Sequence, residues 1–265
     1  MLLSISINTR GAMDTDLIWL AAIALEGVVL IRGLRAALLK KYFLFYAYIA
    51  CILLIEILRF CSYRLAPGLY PSFYWNSELV TIVASYAVIF EIFRQALRHS
   101  PGVARVAQRL LLVVFVIALT SAASDLLHGG FASVPRVAAD LGRYLRYIEG
   151  GLLFVMLWLF GRYRISFGRN LLGLTLGYSL LVGLDVMNLA FLSFHGNEFS
   201  IGFRKFLPIT FLITLATWCA TLWFFQPDPV QPEESAIERD YGLLAAKTRA
   251  VLAHMSARVA RTLLP

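Results

Sequence analysis

The segment Gly142-Arg-Tyr-Leu-Arg-Tyr-Ile-Glu-Gly-Gly151 leads directly into the apolar run 152–160. One helix through both parts carries three charges, Arg143, Arg146 and Glu149, spaced three residues apart. At this spacing the side chains share one side of the helix, and Arg146 can pair with Glu149. Because charges are costly against lipid, we expect them to face other helices or a wet cavity.

The composition is that of a membrane protein. Hydrophobic residues make up 60% of the 265 residues and charged residues 15%, and the mean hydropathy is +0.74. A water-soluble domain is about half apolar and about a quarter charged. The net charge is +8, but the basic residues stand in short clusters between apolar runs, so they indicate membrane orientation and not nucleic-acid binding.

Seven apolar runs are long enough to span a bilayer, whose core of about 30 Å needs about 20 residues per helix. They lie at residues 15–34, 42–62, 77–97, 107–128, 141–161, 171–194 and 203–225. The connections are too short for a soluble domain. The pattern predicts an all-α, seven-transmembrane-helix bundle that occupies residues 1–226 as one domain.

The basic residues predict the orientation. The first, third and fifth connections hold most of them: Arg32, Arg35, Lys40, Lys41, Arg94, Arg98, Arg105, Arg109, Arg162, Arg164 and Arg169. By the positive-inside rule these connections are cytoplasmic, which places the N-terminus outside and the C-terminus inside. The second connection, 65–75, is rich in aromatic and turn residues, as is typical of an interfacial outer loop.

A polar tail follows the bundle. Residues 227–236 form a proline-rich acidic linker, and residues 237–265 are predicted to form a cytoplasmic amphipathic helix. We expect this helix to lie on the inner leaflet, attracted by anionic lipid. The alternative is pairing through 237–262 with a cytoplasmic partner or with a second copy of the chain.

The ionisable residues of the spans concentrate in the outer half and suggest a polar pocket that opens outward. The candidate ligand-binding residues are Glu149, Arg146, Arg143, Asp185, Glu56, Arg59, Asn188 and Asp125. Ionisable residues inside a membrane suggest function by default, although a paired network can equally lock helices together. Both readings are open at this point.

Two further features have both a structural and a functional interpretation, and two more have a structural one. Glu26, at mid-depth in the first span, is either a protonated core carboxyl or part of a proton relay. A threonine stripe at 210, 214, 217 and 221 either back-bonds to its own helix or lines a pore. The pair Glu91 and Arg94 is most simply a salt bridge, and Gly173 with Gly177 forms a GxxxG motif for close helix packing.

Several enzyme classes lack their motifs. The four histidines show no HExxH pattern, no GxSxG sequence is present, and no P-loop occurs. The three cysteines have no CxxC spacing. No lysine lies in the middle of a span, which excludes a retinal Schiff base. We therefore expect a non-enzymatic protein that uses no metal and no cofactor.

Short motifs resemble an uncharacterised bacterial family of seven-span membrane proteins. They are Phe90-Glu-Ile-Phe-Arg94 with Pro101, then Gly168-Arg-Asn170 leading into Gly173 and Gly177-Tyr-Ser179. The resemblance covers most of the chain except the tail. It implies the fold and a multi-pass location in the bacterial cytoplasmic (inner) membrane, and it assigns no activity or site residue.

These observations favour an integral membrane receptor or accessory protein. Its outer-half pocket would bind a small polar ligand or an ion, and the bundle would pass the change to the inner loops and tail. A transporter or channel for a small solute, an ion or protons is the alternative, with a polar path through Glu26 and the threonine stripe. A lipid-modifying enzyme is a third interpretation.

Overall fold

A computed structural model describes residues 9–35, 38–130, 133–163, 168–204, 207–226 and 236–263. Within these ranges the chain forms helices joined by short turns and contains no β-strand. The all-α prediction is therefore confirmed for this part of the chain. The predicted linker falls almost entirely on residues 227–235, outside the described ranges.

Helices account for nearly all of the described residues. They are α1 (Thr9–Arg35), α2 (Leu38–Lys41), α3 (Phe43–Leu65), α4 (Tyr70–Ala96), α5 (Pro101–Gly129), α6 (Val134–Tyr163), α7 (Arg169–Arg204), α8 (Leu207–Thr221) and α9 (Ala236–Leu263). Among the described residues, six helices, α1 and α3 to α7, are long and apolar enough to cross a membrane. The chain is a polytopic helical membrane protein.

The run expected as a seventh span, 203–225, is divided differently in the structure. Helix α7 continues to Arg204, past the expected end near residue 194, and no proline interrupts it. Helix α8 has Pro208 in its first turn, where a missing N–H is tolerated. Its 15 residues span about 22 Å, less than the bilayer core of about 30 Å.

The connection expected as a loop at 65–75 is mostly helical. Only residues 66–69 form a turn, closed by a hydrogen bond from the backbone N–H of Leu69 to the carbonyl of Ala66 at 3.0 Å. Pro71 lies at the start of α4, a position that suits the fixed φ of proline. The aromatic residues Tyr74 and Trp75 therefore lie on the first turns of α4 and not on a loop.

Helix α4 is at the centre of the bundle, where it packs against α3, α5, α6 and α7, while α1 packs between α3 and α8. Helices α1 and α3 are antiparallel, because Gly33 lies against Tyr46 and Trp19 lies against Phe60. We call the end of the bundle where α1, α4 and α6 end the basic end. Its arginines include Arg32, Arg35, Arg94, Arg105, Arg162 and Arg169.

The GxxxG motif brings α7 and α8 into close contact, as its sequence predicts. A Cβ atom added at Gly173 would lie 2.2 Å from Cβ of Thr221, and one at Gly177 would lie 2.4 Å from Nε1 of Trp218. The indole N–H of Trp218 donates to the carbonyl of Leu174 at 3.3 Å. Only glycine permits the two backbones to approach this closely.

Two polar side chains fix the segment after α8 at the basic end. The amide of Asn170 donates to the carbonyls of Thr221 at 2.9 Å and Phe224 at 2.8 Å, and it accepts from the backbone N–H of Gln226 at 2.7 Å. Arg32 of α1 donates to the carbonyl of Trp223, and its guanidinium lies 4.4 Å from the centroid of that indole ring. These bonds satisfy the carbonyl groups that a helix end leaves unpaired.

The tail helix α9 is attached to the bundle only through its first turns, as far as its side chains are described. Ile237 is buried, and helix α9 packs against α5. Four large apolar side chains further along, Leu243, Leu244, Val251 and Leu252, are exposed. The helix carries basic residues beside this apolar face, which agrees with the amphipathic pattern of its sequence.

Candidate functional site

Arg146 holds two carboxylates that come from two different helices. Its guanidinium lies 2.8 Å from Glu149 on α6 and 3.2 Å from Asp185 on α7. The Arg146 side chain is 17% exposed, the Asp185 side chain 21% and the Glu149 side chain 0%. The cluster is therefore partly exposed at Asp185 and fully buried at Glu149.

Two hydroxyl groups complete the surroundings of Glu149. The hydroxyl of Ser85 on α4 donates to Oε1 of Glu149 at 3.2 Å. The hydroxyl of Tyr178 on α7 lies 3.5 Å from the same oxygen and donates to the carbonyl of Ser85 at 2.7 Å. Three helices therefore converge on one carboxylate, which is what a buried charge needs to be tolerated.

A second arginine, Arg59 on α3, also pairs with two carboxylates. It lies 3.4 Å from Glu56 on its own helix and 3.0 Å from Glu78 on α4. Its Nε donates to the Ser77 hydroxyl at 2.8 Å, and NH2 donates to the Tyr74 carbonyl at 3.2 Å. The Arg59 guanidinium also lies 4.5 Å from the centroid of the Tyr74 ring. All of its donor edges are thus engaged.

The two clusters interact with each other. Glu78 of the Arg59 cluster interacts electrostatically with Arg146 and with Asp185. The Arg59 cluster lies near the turn between α3 and α4, away from the basic end, and the Arg146 cluster lies near the middle of α6 and α7. We call the two together, formed by Arg59, Glu56, Glu78, Arg146, Glu149 and Asp185, the paired arginine site.

Asn188 lies one turn beyond Asp185 on the same face of α7. Its side chain is fully buried, and neither its amide oxygen nor its amide nitrogen has a hydrogen-bond partner among the described residues. Buried polar groups are almost always hydrogen-bonded, and leaving one unsatisfied costs about 1–3 kcal/mol. Among the described residues, the Asn188 amide therefore has unused hydrogen-bonding capacity, one turn farther from the basic end than Asp185.

Glu26 of α1 is also fully buried, and neither of its carboxylate oxygens accepts a hydrogen bond from any described residue. It interacts electrostatically with Glu56 and with Tyr48. Tyr48 in turn interacts with Arg146 and packs its ring 6.4 Å from that of Tyr178. Glu26 thus lies beside the paired arginine site without being part of either cluster.

Six of the eight candidate residues are brought together, and two are not. Glu149, Arg146, Asp185, Glu56, Arg59 and Asn188 belong to the site or border it. Arg143 lies outside it, because it points away and pairs with Asp140 at 3.7 Å with 48% of its side chain exposed. Asp125 is exposed near the end of α5 and joins neither cluster.

The site also contains residues that were not among the candidates: Glu78, Ser77, Ser85 and Tyr178. Glu78 is 19 residues from its partner Arg59, and Tyr178 is 29 residues from Glu149. No spacing rule connects residues on separate helices. Glu78 carried a weak signal, because it is a carboxylate at the start of an apolar span.

Other polar groups of the spans have structural roles in the described residues. Arg94 bonds to Glu91 at 2.9 Å, as predicted, and Glu91 also accepts from the backbone N–H of Phe45 at the start of α3, at 2.7 Å. In the threonine stripe, Thr217 and Thr221 back-bond to their own helix at 2.8 and 2.7 Å. Thr214 is buried, and its hydroxyl has no hydrogen-bond partner among the described residues.

The described side chains include no group of three or more histidine, cysteine, aspartate or glutamate residues placed to hold a metal ion. Comparisons with models of known protein families, with curated proteins and with solved structures find no match to this chain. The features of the site that bear on function are charges held between helices, partial exposure at Asp185, and a buried amide, that of Asn188, without a partner among the described residues.

Proposed function

We propose that the bundle has seven spans, with α8 and its flanking residues as the seventh, and that the N-terminus lies outside and the C-terminus in the cytoplasm. The concentration of arginine at the basic end supports this orientation by the positive-inside rule. The paired arginine site then faces the outer side. We place the protein in the bacterial cytoplasmic membrane. A reporter enzyme that is active only outside the cytoplasm should be active when fused at residues 68 and 130, which lie away from the basic end. The same reporter should be inactive when fused at residue 99.

The function that the geometry supports best is a receptor-like or accessory membrane protein without enzymatic activity, whose paired arginine site binds a small polar ligand or an ion. One observation carries this proposal. Two arginines and four carboxylates from α3, α4, α6 and α7 lie together inside the apolar part of the bundle. Such groups are expensive in a membrane, and they mark ligand or ion sites more often than other positions do.

The arrangement also gives a route for a signal. Helix α4 contributes Ser85 to the site, and at its other end Glu91 bonds to the start of α3. Helix α5 packs against α4 and α6 and holds the tail helix. A ligand that moves α6 relative to α7 would shift these contacts at the basic end. The tail would then present its exposed apolar face to the inner leaflet, to a cytoplasmic protein or to a second copy.

The test is a thermal-stability screen of the detergent-purified protein against polar metabolites and ions, with wild type, Glu149→Gln and Asp140→Asn in parallel. A bound ligand raises the melting temperature in proportion to RT ln(1 + [L]/Kd). We expect at least one compound to stabilise the wild type and the Asp140→Asn control but not Glu149→Gln. If no compound stabilises the wild type while Glu149→Gln lowers its melting temperature, the charges form a structural network only.

A transporter or channel is the second candidate, and a specific observation favours it. Glu26 and Thr214 are buried on α1 and α8 with oxygen atoms that no described residue hydrogen-bonds. If water reaches Glu26 and Thr214, a polar path extends from the paired arginine site past the middle of the bundle. Substrate or proton flux in proteoliposomes that is abolished by Glu26→Gln would establish transport. Binding without flux would support the receptor.

A further inference from the structure

We propose that the ligand of the paired arginine site is a small organic cation, an amine that also carries a hydrogen-bond acceptor. This inference rests on the proposed binding function and adds the chemical class. Three independent features support it: the balance of charges, the engagement of the arginines, and the unsatisfied amide of Asn188.

The balance of charges is negative. Each cluster contains one arginine and two carboxylates, so the two together contain two positive and four negative groups. The described side chains of the site therefore contain two more carboxyl groups than guanidinium groups. An excess of charge in a weakly polar interior is unfavourable unless it is neutralised. A cation that enters from the edge at Asp185 neutralises part of it.

An anion fits this site poorly, because the guanidinium groups are already engaged. Arg59 donates to Ser77, Glu56, Glu78 and the carbonyl of Tyr74. An incoming anion would have to displace these carboxylates and leave them unpaired, at a high cost. The carboxylates have capacity to spare, since each can accept about four hydrogen bonds. The open capacity of the site is therefore on the acceptor side.

A metal ion is also a poor fit. Each carboxylate pair is bridged by an arginine, which repels a divalent metal ion about twice as strongly as a singly charged ammonium group at the same distance. A metal ion needs several oxygen ligands around it at once, whereas an organic ammonium group can bind through single hydrogen bonds from its N–H groups to exposed carboxylate oxygens. The partly exposed Asp185 and Glu78 are the carboxylates that such a group would meet first.

Asn188 extends the recognition to a second group on the ligand. Its side chain is fully buried beside Asp185, and its amide oxygen and nitrogen bond to no described residue. The oxygen can accept from an ammonium group, and the nitrogen can donate to a hydroxyl or carbonyl oxygen. An amine that also carries an acceptor oxygen can satisfy both atoms. A simple ammonium ion satisfies only one.

Aromatic rings border the same site. Tyr74, which already stacks on the Arg59 guanidinium, lies 6.1 Å from Tyr70 and 5.2 Å from Trp75, measured between ring centroids. Aromatic faces attract cations and do not attract anions. The partly exposed surface next to Glu78 is therefore suited to bind positively charged molecules that arrive from the outer side.

Three probes of the same size separate the classes: ethanolamine, ethylene glycol and glycolate, which differ in having an ammonium, a hydroxyl or a carboxylate at one end. The measurement is the melting temperature of the full-length protein in detergent at constant ionic strength. The variants are Asp185→Asn and Asn188→Leu, and Asp140→Asn is the control for an exposed carboxylate on α6. Equilibrium dialysis of labelled ethanolamine against wild type gives Kd without relying on the folding of any variant.

We expect ethanolamine alone to raise the melting temperature, and we expect Asp185→Asn to raise its Kd about tenfold or more through loss of a charge-assisted hydrogen bond. Asp140→Asn should bind as the wild type does. Stabilisation by glycolate or ethylene glycol without ethanolamine would overturn the cation assignment and leave the binding function standing. If no probe and no compound of the wider screen binds, both the cation assignment and the binding function are wrong.

Discussion

The carboxylate of Glu238, on the tail helix, accepts a hydrogen bond from the backbone N–H of Gly102 at 2.9 Å. Its second oxygen lies 3.3 Å from the N–H of Val103. A carboxylate in this position accepts hydrogen bonds from the unpaired amides at the start of α5. It also interacts favourably with the positive end of the dipole of that helix. Tyr241 covers the same spot, since a Cβ at Gly102 would lie 2.6 Å from its ring. The tail is therefore fastened to the bundle at the first turn of α5.

Glu238→Ala is expected to release the tail. Loss of a helix cap costs about 0.5–2 kcal/mol, which increases the population of the detached tail by about 2- to 30-fold. Limited trypsin digestion at Lys247 and Arg249 should accelerate accordingly. Gly242→Ala is the matched control, because a Cβ there meets no atom within 4 Å. Equal digestion rates in wild type and Glu238→Ala would show that the bond does not hold the tail.

Gly177→Ala is expected to destabilise the bundle by about 1–3 kcal/mol, because the added methyl group collides with the Trp218 indole. Gly183→Ala, on the same helix, has open space and should stabilise by about 0.5–1 kcal/mol through helix propensity. Unfolding by graded addition of a denaturing detergent measures both. A loss of stability in Gly183→Ala equal to that in Gly177→Ala would contradict the close approach of α7 and α8.

Asn170→Leu is expected to cost about 1–3 kcal/mol, because two backbone carbonyls and one backbone N–H of the segment after α8 lose their partner. Asn170→Asp should also destabilise the protein, since a carboxylate cannot donate to the carbonyls of Thr221 and Phe224. Exchange of the exposed neighbour, Arg169→Gln, serves as control. Hydrogen exchange at Gln226 should increase in Asn170→Leu, which removes the acceptor of its N–H, and unchanged protection in that variant would contradict this account.

Arg146→Gln and Arg143→Gln compare two arginines on one helix, three residues apart. Removal of Arg146 leaves the buried Glu149 unpaired, and we expect a loss of about 3–5 kcal/mol. Removal of Arg143 breaks only an exposed pair with Asp140, which contributes about 0–1 kcal/mol. Denaturing-detergent titration distinguishes the two. Similar losses of stability for both variants would mean that the burial of Arg146 does not make its ion pair more important for stability than the exposed pair of Arg143.

The same pair shows how far sequence reasoning reaches. The i, i+3 spacing correctly predicted the contact between Arg146 and Glu149. Arg143 has the same spacing to Arg146, but six residues of an α-helix rotate the side chain by about 120° from Glu149. That rotation turns Arg143 out of the bundle. Residues repeated at a spacing of three therefore move off one face of the helix within two turns.

Contacts between helices could not be predicted. Ser85, Glu78 and Tyr178 reach their partners only because α4 packs centrally against α3, α6 and α7. The order of helices in a bundle is set by side-chain packing over the whole domain, and hydropathy alone does not contain it. The membrane class and the all-helical fold could be predicted because apolar runs of spanning length admit few other structures.

The helices within the last apolar run, 203–225, were also not predicted correctly from hydropathy. Hydropathy averages over about 20 residues and so placed one span at 203–225. In the structure α7 is described as far as Arg204, and Pro208 lies in the first turn of α8. Proline at a helix start is a local signal for the beginning of α8. Averaging over a window hides such a signal.

The central claim is that the paired arginine site is open to the outer side and prefers cations. The most direct measurement is the rate at which Asp185→Cys, with Cys51, Cys61 and Cys219 replaced by alanine, reacts with membrane-impermeant thiol reagents in intact cells. Asp125→Cys, exposed on α5 and outside both clusters, is the control.

We expect the cationic reagent to modify Asp185→Cys about tenfold or more faster than an anionic reagent of the same size, because the remaining carboxylates attract it. The control should react with little preference for either reagent. An unreactive Asp185→Cys, or equal rates with the two reagents, would contradict the claim and leave the arginine clusters as a structural network.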